Sequence, residues 1–94
     1  MVYAKKVDKN QSEIVEKFRN LGCSVYVASG IGRGFPDLLV AKNKQTILVE
    51  IKSAKSAKFT DAQLEFMRKW KGGTVVRIDS LDGVERLVNL LDTS

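Results

Sequence analysis

Two apolar runs, residues 36–41 (Pro-Asp-Leu-Leu-Val-Ala) and 46–52 (Thr-Ile-Leu-Val-Glu-Ile-Lys), are separated by little more than Lys42, Asn43 and Lys44. A connection that short joins strands only as an antiparallel hairpin, because a parallel return needs a crossover of about a dozen residues or more. In the second run, Ile47, Val49 and Ile51 fall on one face of the strand, and Leu48, Glu50 and Lys52 on the other. A carboxylate and an ammonium thus project side by side from a mostly apolar strand. The hairpin also makes Asp37, near the start of the first strand, a neighbour of Glu50, near the end of the second.

The remaining elements follow from periodicity and punctuation. Ile14, Val15, Phe18 and Leu21 recur at helical spacing ahead of Gly22, which predicts a helix over residues 11–21 with Asn10 and Glu13 as a capping box. Residues 24–28 read as a short strand by β-branched and aromatic content. The loop that follows has glycines at 30, 32 and 34, but it leads into a strand, so it is no dinucleotide-binding fingerprint. Pro36 suits a strand's first position, where no ladder donor is needed. A second helix opens at Thr60, which can cap Gln63, carries Phe66, Met67 and Trp70 on one stripe, and stops at Gly72-Gly73. Residues 74–78 form a fourth strand, parallel to the third because a helical crossover joins them. A last helix over residues 81–91 turns Val84, Leu87, Val88 and Leu91 inward. Tyr26 and Trp70 read as core residues. The expected class is α/β in the order αβββαβα, a mixed four-stranded sheet flanked by helices, with residues 1–94 as one domain.

Composition limits the chemistry. There is no histidine and Cys23 is the only cysteine, which excludes zinc-finger spacings, an internal disulfide and any nucleophile that depends on a histidine base. A lone thiol fits a reducing, cytoplasmic setting. No apolar run is long enough to span a membrane, and the first ten residues carry lysines with no apolar segment of a secretion signal. The net charge of +5 is uneven: residues 1–71 hold 14 of the 16 Lys/Arg and 7 of the 11 Asp/Glu. A polyanion is the natural partner of such a field, although a solvated lysine-rich surface would account for the charge alone equally well.

Hydrolysing a phosphodiester requires a cation to offset charge on the phosphate, an activated water, and both in line with the leaving oxygen. A hard cation such as Mg²⁺ prefers carboxylate oxygen and keeps several waters, so two or three acidic ligands suffice, of which Asp37 and Glu50 can be two. Lys52 shares the face of Glu50 and can orient the attacking water or take its proton.

Gly34-Phe35-Pro36-Asp37-Leu38 followed by Glu50-Ile51-Lys52 resembles the signature of PD-(D/E)XK nucleases, whose fold is the restriction-endonuclease-like core. Over nearly the whole chain it is similar to the stand-alone VRR-NUC domain of phages, with archaeal Holliday junction resolvases as similar relatives. The resemblance implies a Mg²⁺- or Mn²⁺-dependent DNA endonuclease selective for branched DNA, acting in the bacterial host cytoplasm if of phage origin. It also implies a metal contact from the Ile51 carbonyl, and a further ligand from Glu13 in the first-helix motif Ser12-Glu13-Ile14-Val15. In Thr60-Asp61-Ala62-Gln63, Gln63 would orient the water or the metal. Ala28-Ser29-Gly30 matches the Ser-Gly loop of the resolvases, which brings Ser29 towards nucleic acid. Arg33, Lys55 and Lys58 flank the site and suit phosphate contact. A four-way junction is roughly two-fold symmetric, so a homodimer with two active sites is expected, with Ile31, Phe35 and Phe59 as residues that could pack across its axis.

Other readings remain open at this level. Capping explains Glu13 and Gln63 as well as catalysis does. Asp37, Glu50 and Lys52 could be a charge pair on an edge strand, a reading weakened by the apolar residues around them, since buried carboxylates without a metal or partner are costly. A structure-insensitive or RNA-directed nuclease, and an inactive nucleic-acid-binding module, are the alternatives in function.

Overall fold

The computed structural model describes residues 9–93, which run α1 (Lys9–Asn20), β1 (Ser24–Val27), β2 (Leu38–Lys42), β3 (Gln45–Ile51), α2 (Asp61–Lys69), β4 (Val75–Ile78) and α3 (Leu81–Asp92). The strands form one mixed sheet in the order β1-β2-β3-β4. The first three are antiparallel, and β4 pairs parallel with β3. This is the expected αβββαβα order.

The centre of the sheet is the hairpin. Its loop is two residues, tighter than the three-residue turn expected, because Lys42 pairs with Gln45. Asn43 and Lys44 both take positive φ, 54° and 65°, the geometry that follows the natural twist of the strands. Such a φ suits asparagine and strains lysine, and contacts to α3 hold the turn in place. The Lys42 Nζ lies 2.8 Å from Asp92 Oδ1, and Asn43 and Gln45 donate to the Leu91 carbonyl at 3.2 and 2.8 Å. Carbonyls at a helix C-terminus otherwise lack partners.

One face of the sheet carries the core. Ile14, Val15 and Phe18 of α1 and Val84, Leu87, Val88 and Leu91 of α3 pack over Val25, Val40, Val49, Ile51 and Ile78. Burying each side chain of this size contributes about 1.5–3 kcal/mol against chain entropy. The opposite face bears Leu48 and Glu50, both buried, with α2 lying across it. Glu50 is therefore buried although polar, at the point where the first turn of α2 meets the sheet.

Two sequence expectations are corrected. Asn10 is not a cap: α1 already includes Lys9, and the Asn10 Nδ2 donates instead to the Lys52 carbonyl at 3.3 Å. Tyr26 and Trp70 are not core residues, being 71% and 40% exposed. Tyr26 lies on the outer face of the edge strand, and Trp70 follows the last turn of α2, stacked on Phe66 at 5.2 Å. The stripe of α2 is therefore a half-covered aromatic cluster, completed by Phe35 edge-on to Phe66 at 5.2 Å. No helix among the described residues is long and apolar enough to cross a membrane.

Candidate active site

The register from Leu38↔Val49, continued one step, sets Asp37 opposite Glu50 at the end of the hairpin. Asp37 is fixed there twice: its carbonyl accepts from the Ala28 amide at 2.7 Å, and its Oδ2 accepts from the Ile51 amide at 2.8 Å. Pro36 before it is fully buried. Glu50 is 5% exposed. Burial, then the negative charge of Asp37, pushes its pKa from the ordinary 4.5 up to about 7, against the opposing pull of Lys52, whose Nζ is 3.6 Å from Oε2.

Gln63 completes the cluster. Its Nε2 donates to Glu50 Oε2 and its Oε1 accepts from the Lys52 Nζ, both at 2.7 Å. The same Oε1 accepts from the Thr60 amide at 2.9 Å while the Thr60 hydroxyl accepts from the Gln63 amide at 3.1 Å. One side chain therefore does two things: it closes the capping box of α2 and bridges the acid to the lysine. Lys52 is further flanked by Phe59, whose ring centre is 5.5 Å from Nζ.

Gly34 lets α2 come this close. Its φ is +79°, and a Cβ there would overlap the Ala62 carbonyl and come within 2.8 Å of the Gln63 amide nitrogen. The loop before Asp37 therefore packs directly on the first turn of α2.

Asp37, Glu50, Lys52 and Gln63 are brought together. Glu13 is not drawn into an acidic cluster with them; it is exposed on α1, and no three His, Cys, Asp or Glu side chains among the described residues converge as a metal-ligand group. Ser29 is half-buried, and Arg33, Lys55 and Lys58 are exposed in the segments before and after the hairpin. Of the three apolar residues proposed for a dimer axis, Ile31 is 62% exposed, Phe35 is engaged with Phe66, and Phe59 faces Lys52.

Two neighbours of the site were not among the residues expected there. Asn10 reaches the Lys52 carbonyl from α1. Arg77, paired with Glu50 in the β3–β4 ladder, donates to the Ala54 and Lys55 carbonyls. An arginine within Val-Val-Arg-Ile, otherwise an apolar strand, was the one hint in the chain.

The donor set suits a hard divalent cation. Burial and then the charge of Asp37 both oppose ionisation of Glu50, and a cation between the two carboxylates would offset both. Neither a soft sulfur ligand nor an imidazole is present, since Cys23 is buried in the core on the other face of the sheet.

A Pro-Asp pair leading into one strand, Glu-X-Lys at the end of its antiparallel partner, and a helix crossing over to a parallel strand together define a nuclease of the PD-(D/E)XK type. No family model matches the sequence, and no curated protein matches it. Among solved structures it is similar to one described as a VRR_NUC domain, with 34% identity, a TM-score of 0.68, and coverage of 86% of this chain and 91% of that one. The chain belongs to the VRR-NUC family.

Proposed function

We propose that the protein is a Mg²⁺- or Mn²⁺-dependent endonuclease that cuts phosphodiester bonds in DNA, with branched DNA such as a four-way junction as its preferred substrate. The observation that carries this reading is the enclosed contact of Asp37, Glu50, Lys52 and Gln63. Glu50, Lys52 and Gln63 held together by two bonds of 2.7 Å and an ion pair of 3.6 Å, with Asp37 anchored beside them on the Ile51 amide at 2.8 Å, are a poor way to stabilise a sheet and a good way to hold a reacting group.

Asp37 and Glu50 would hold the cation, with the Ile51 carbonyl as a further oxygen and water filling the remaining positions. A cation bound there withdraws charge from the phosphate and acidifies adjacent water. Lys52 donates one N–H to Gln63 Oε1 and faces Glu50 with its charge, which leaves a donor for the attacking water or a phosphate oxygen. Gln63 fixes the direction of that donor. Glu13 would join only through intervening water. Ser29, Arg33, Lys55 and Lys58 would contact the backbone of the substrate.

The working unit is a homodimer joined through the apolar patch around Ile31, where Tyr26, Leu39 and Phe35 border a shallow cavity of about 400 Å³. Cleavage of a labelled panel (four-way junction, flap, duplex, single strand, RNA) with Mg²⁺, Mn²⁺ or Ca²⁺ tests the reading. Cutting of the junction ahead of the linear duplex is expected with Mg²⁺ or Mn²⁺, and none with Ca²⁺. Equal cutting of junction and duplex, with a solution mass of one 10.5 kDa chain, would leave a simple nicking enzyme.

A further inference from the structure

We propose that Arg77 is a positioning residue for the segment between Lys52 and Thr60, and that it acts on the substrate through Lys55 and Lys58. The proposal rests on the nuclease reading of the same site. Arg77 pairs with Glu50 across the parallel β3–β4 ladder, so its side chain leaves the sheet from the face that carries the site. It does not spend its charge on either site carboxylate. Its Nη2 donates to the Ala54 carbonyl at 2.7 Å and the Lys55 carbonyl at 3.1 Å, with Asp79 Oδ2 at 3.7 Å.

The held segment has little else to order it. Among the described residues, the stretch 53–59 makes one backbone–backbone bond, from the Ala57 amide to the Ala54 carbonyl at 3.0 Å. It leaves the site at Lys52 and returns to it at Phe59, whose ring flanks the Lys52 Nζ. Its two lysines are exposed between those ends. The guanidinium grips the middle: one nitrogen, Nη2, donates to two successive carbonyls at the end of a side chain long enough to reach them from the strand. The position also carries a cost: the Arg77 Nε is buried with no hydrogen-bond partner among the described residues. An apolar strand residue would avoid that cost and lose the grip.

If Arg77 acts through the two lysines, its loss weakens substrate binding and leaves the chemical step intact. The variants are Arg77→Met, Arg77→Lys, the Lys55→Ala/Lys58→Ala pair and the triple combination. Junction cleavage is measured against substrate concentration and salt, and trypsin cutting after Lys55 and Lys58 is followed by mass in the free protein well below its melting temperature. Arg77→Met is expected to raise KM about tenfold, to lower the salt slope by about one to two, and to keep kcat within about twofold. Trypsin should cut the segment several-fold faster, with Arg77→Lys intermediate. The triple variant should bind no worse than the lysine pair alone. A further tenfold loss in the triple variant, or unchanged trypsin rates in both Arg77 variants, would overturn the proposal. If Arg77→Met does not fold, the trypsin rate and KM of Arg77→Lys decide between the same two outcomes. If the parent protein cleaves nothing in the panel, the nuclease reading fails by itself, while the trypsin rates still decide whether Arg77 holds the segment.

Discussion

Gln63 Nε2 lies 2.7 Å from Glu50 Oε2, and through that bond the first turn of α2 is tied to the acid at the end of β3. One side chain serves both the helix cap and the site, so its two roles can be separated by substitution. Thr60→Ala removes the cap and leaves the Gln63 amide in place. It should lower stability by about 1 kcal/mol, with cleavage reduced only a few-fold. Gln63→Ala should cost similar stability and reduce cleavage by about tenfold or more, because Lys52 and Glu50 lose their common partner. Denaturant melts beside cleavage rates check this; equal loss of activity in the two variants would leave Gln63 a cap alone.

Glu50 makes the cation-free protein sensitive to pH. The unfolded chain releases this proton near 4.5 and the folded protein near 7, so between those values the folded state binds the extra proton. Stability of the cation-free protein should therefore fall as pH rises from about 4.5 to 7, by on the order of 3 kcal/mol. Glu50→Gln should abolish most of that fall, and added Mn²⁺ should offset it at pH 8. Urea melts in chelator at pH 5 and pH 8 provide the comparison. An equal fall in parent and Glu50→Gln would place its origin elsewhere.

Much of this site was legible in the chain because its residues are close along one hairpin. Asp37, Glu50 and Lys52 follow from the period-two alternation of β3 and a short turn, both of which are local. Thr60 and Gln63 were marked by capping spacing. What spacing could not give was the partner of each group across the fold. Asn10 looked like a cap because asparagine three residues before glutamate is the usual cap pattern, yet its amide serves the Lys52 carbonyl, 42 residues away. Trp70 and Tyr26 looked like core because large aromatic residues usually are. Their exposure depends on how far α2 and β1 are covered, which no local pattern states. Arg77 depends on the path of a loop 22 residues earlier.

Gly34 sets the distance between the Asp37 loop and α2. Gly34→Ala should cost more than the roughly 1 kcal/mol of a strained φ, since a Cβ there would overlap the Ala62 backbone and the helix must move. Cleavage should fall by on the order of tenfold or more even where the variant is folded, because Gln63 moves with the helix. Gly32→Ala, also at positive φ but with nothing nearby for its Cβ to meet, should cost only the backbone strain. Denaturant melts and cleavage rates of the two variants side by side make the comparison.

The acids and the lysine should separate binding from chemistry. Asp37→Ala, Glu50→Ala and Lys52→Ala should each lower cleavage on the order of 10²-fold or more while DNA binding survives. Removing a carboxylate should even tighten binding by reducing repulsion. Arg33→Ala, by contrast, should weaken binding and flatten its salt dependence. Titration of a labelled junction in chelator gives the binding half of this comparison. Loss of binding in Asp37→Ala that tracks its loss of cleavage would mean that the substitution disturbs the fold.

The most direct measurement is cleavage of one labelled four-way junction by the parent and Lys52→Ala proteins, each with Mg²⁺ and with excess chelator. The parent should cut with Mg²⁺ and stop in chelator, and Lys52→Ala should cut on the order of 10²-fold more slowly with Mg²⁺. Cleavage that continues undiminished in chelator, or a Lys52→Ala protein that cuts at the parent rate, would contradict a metal-dependent site built on Asp37, Glu50 and Lys52.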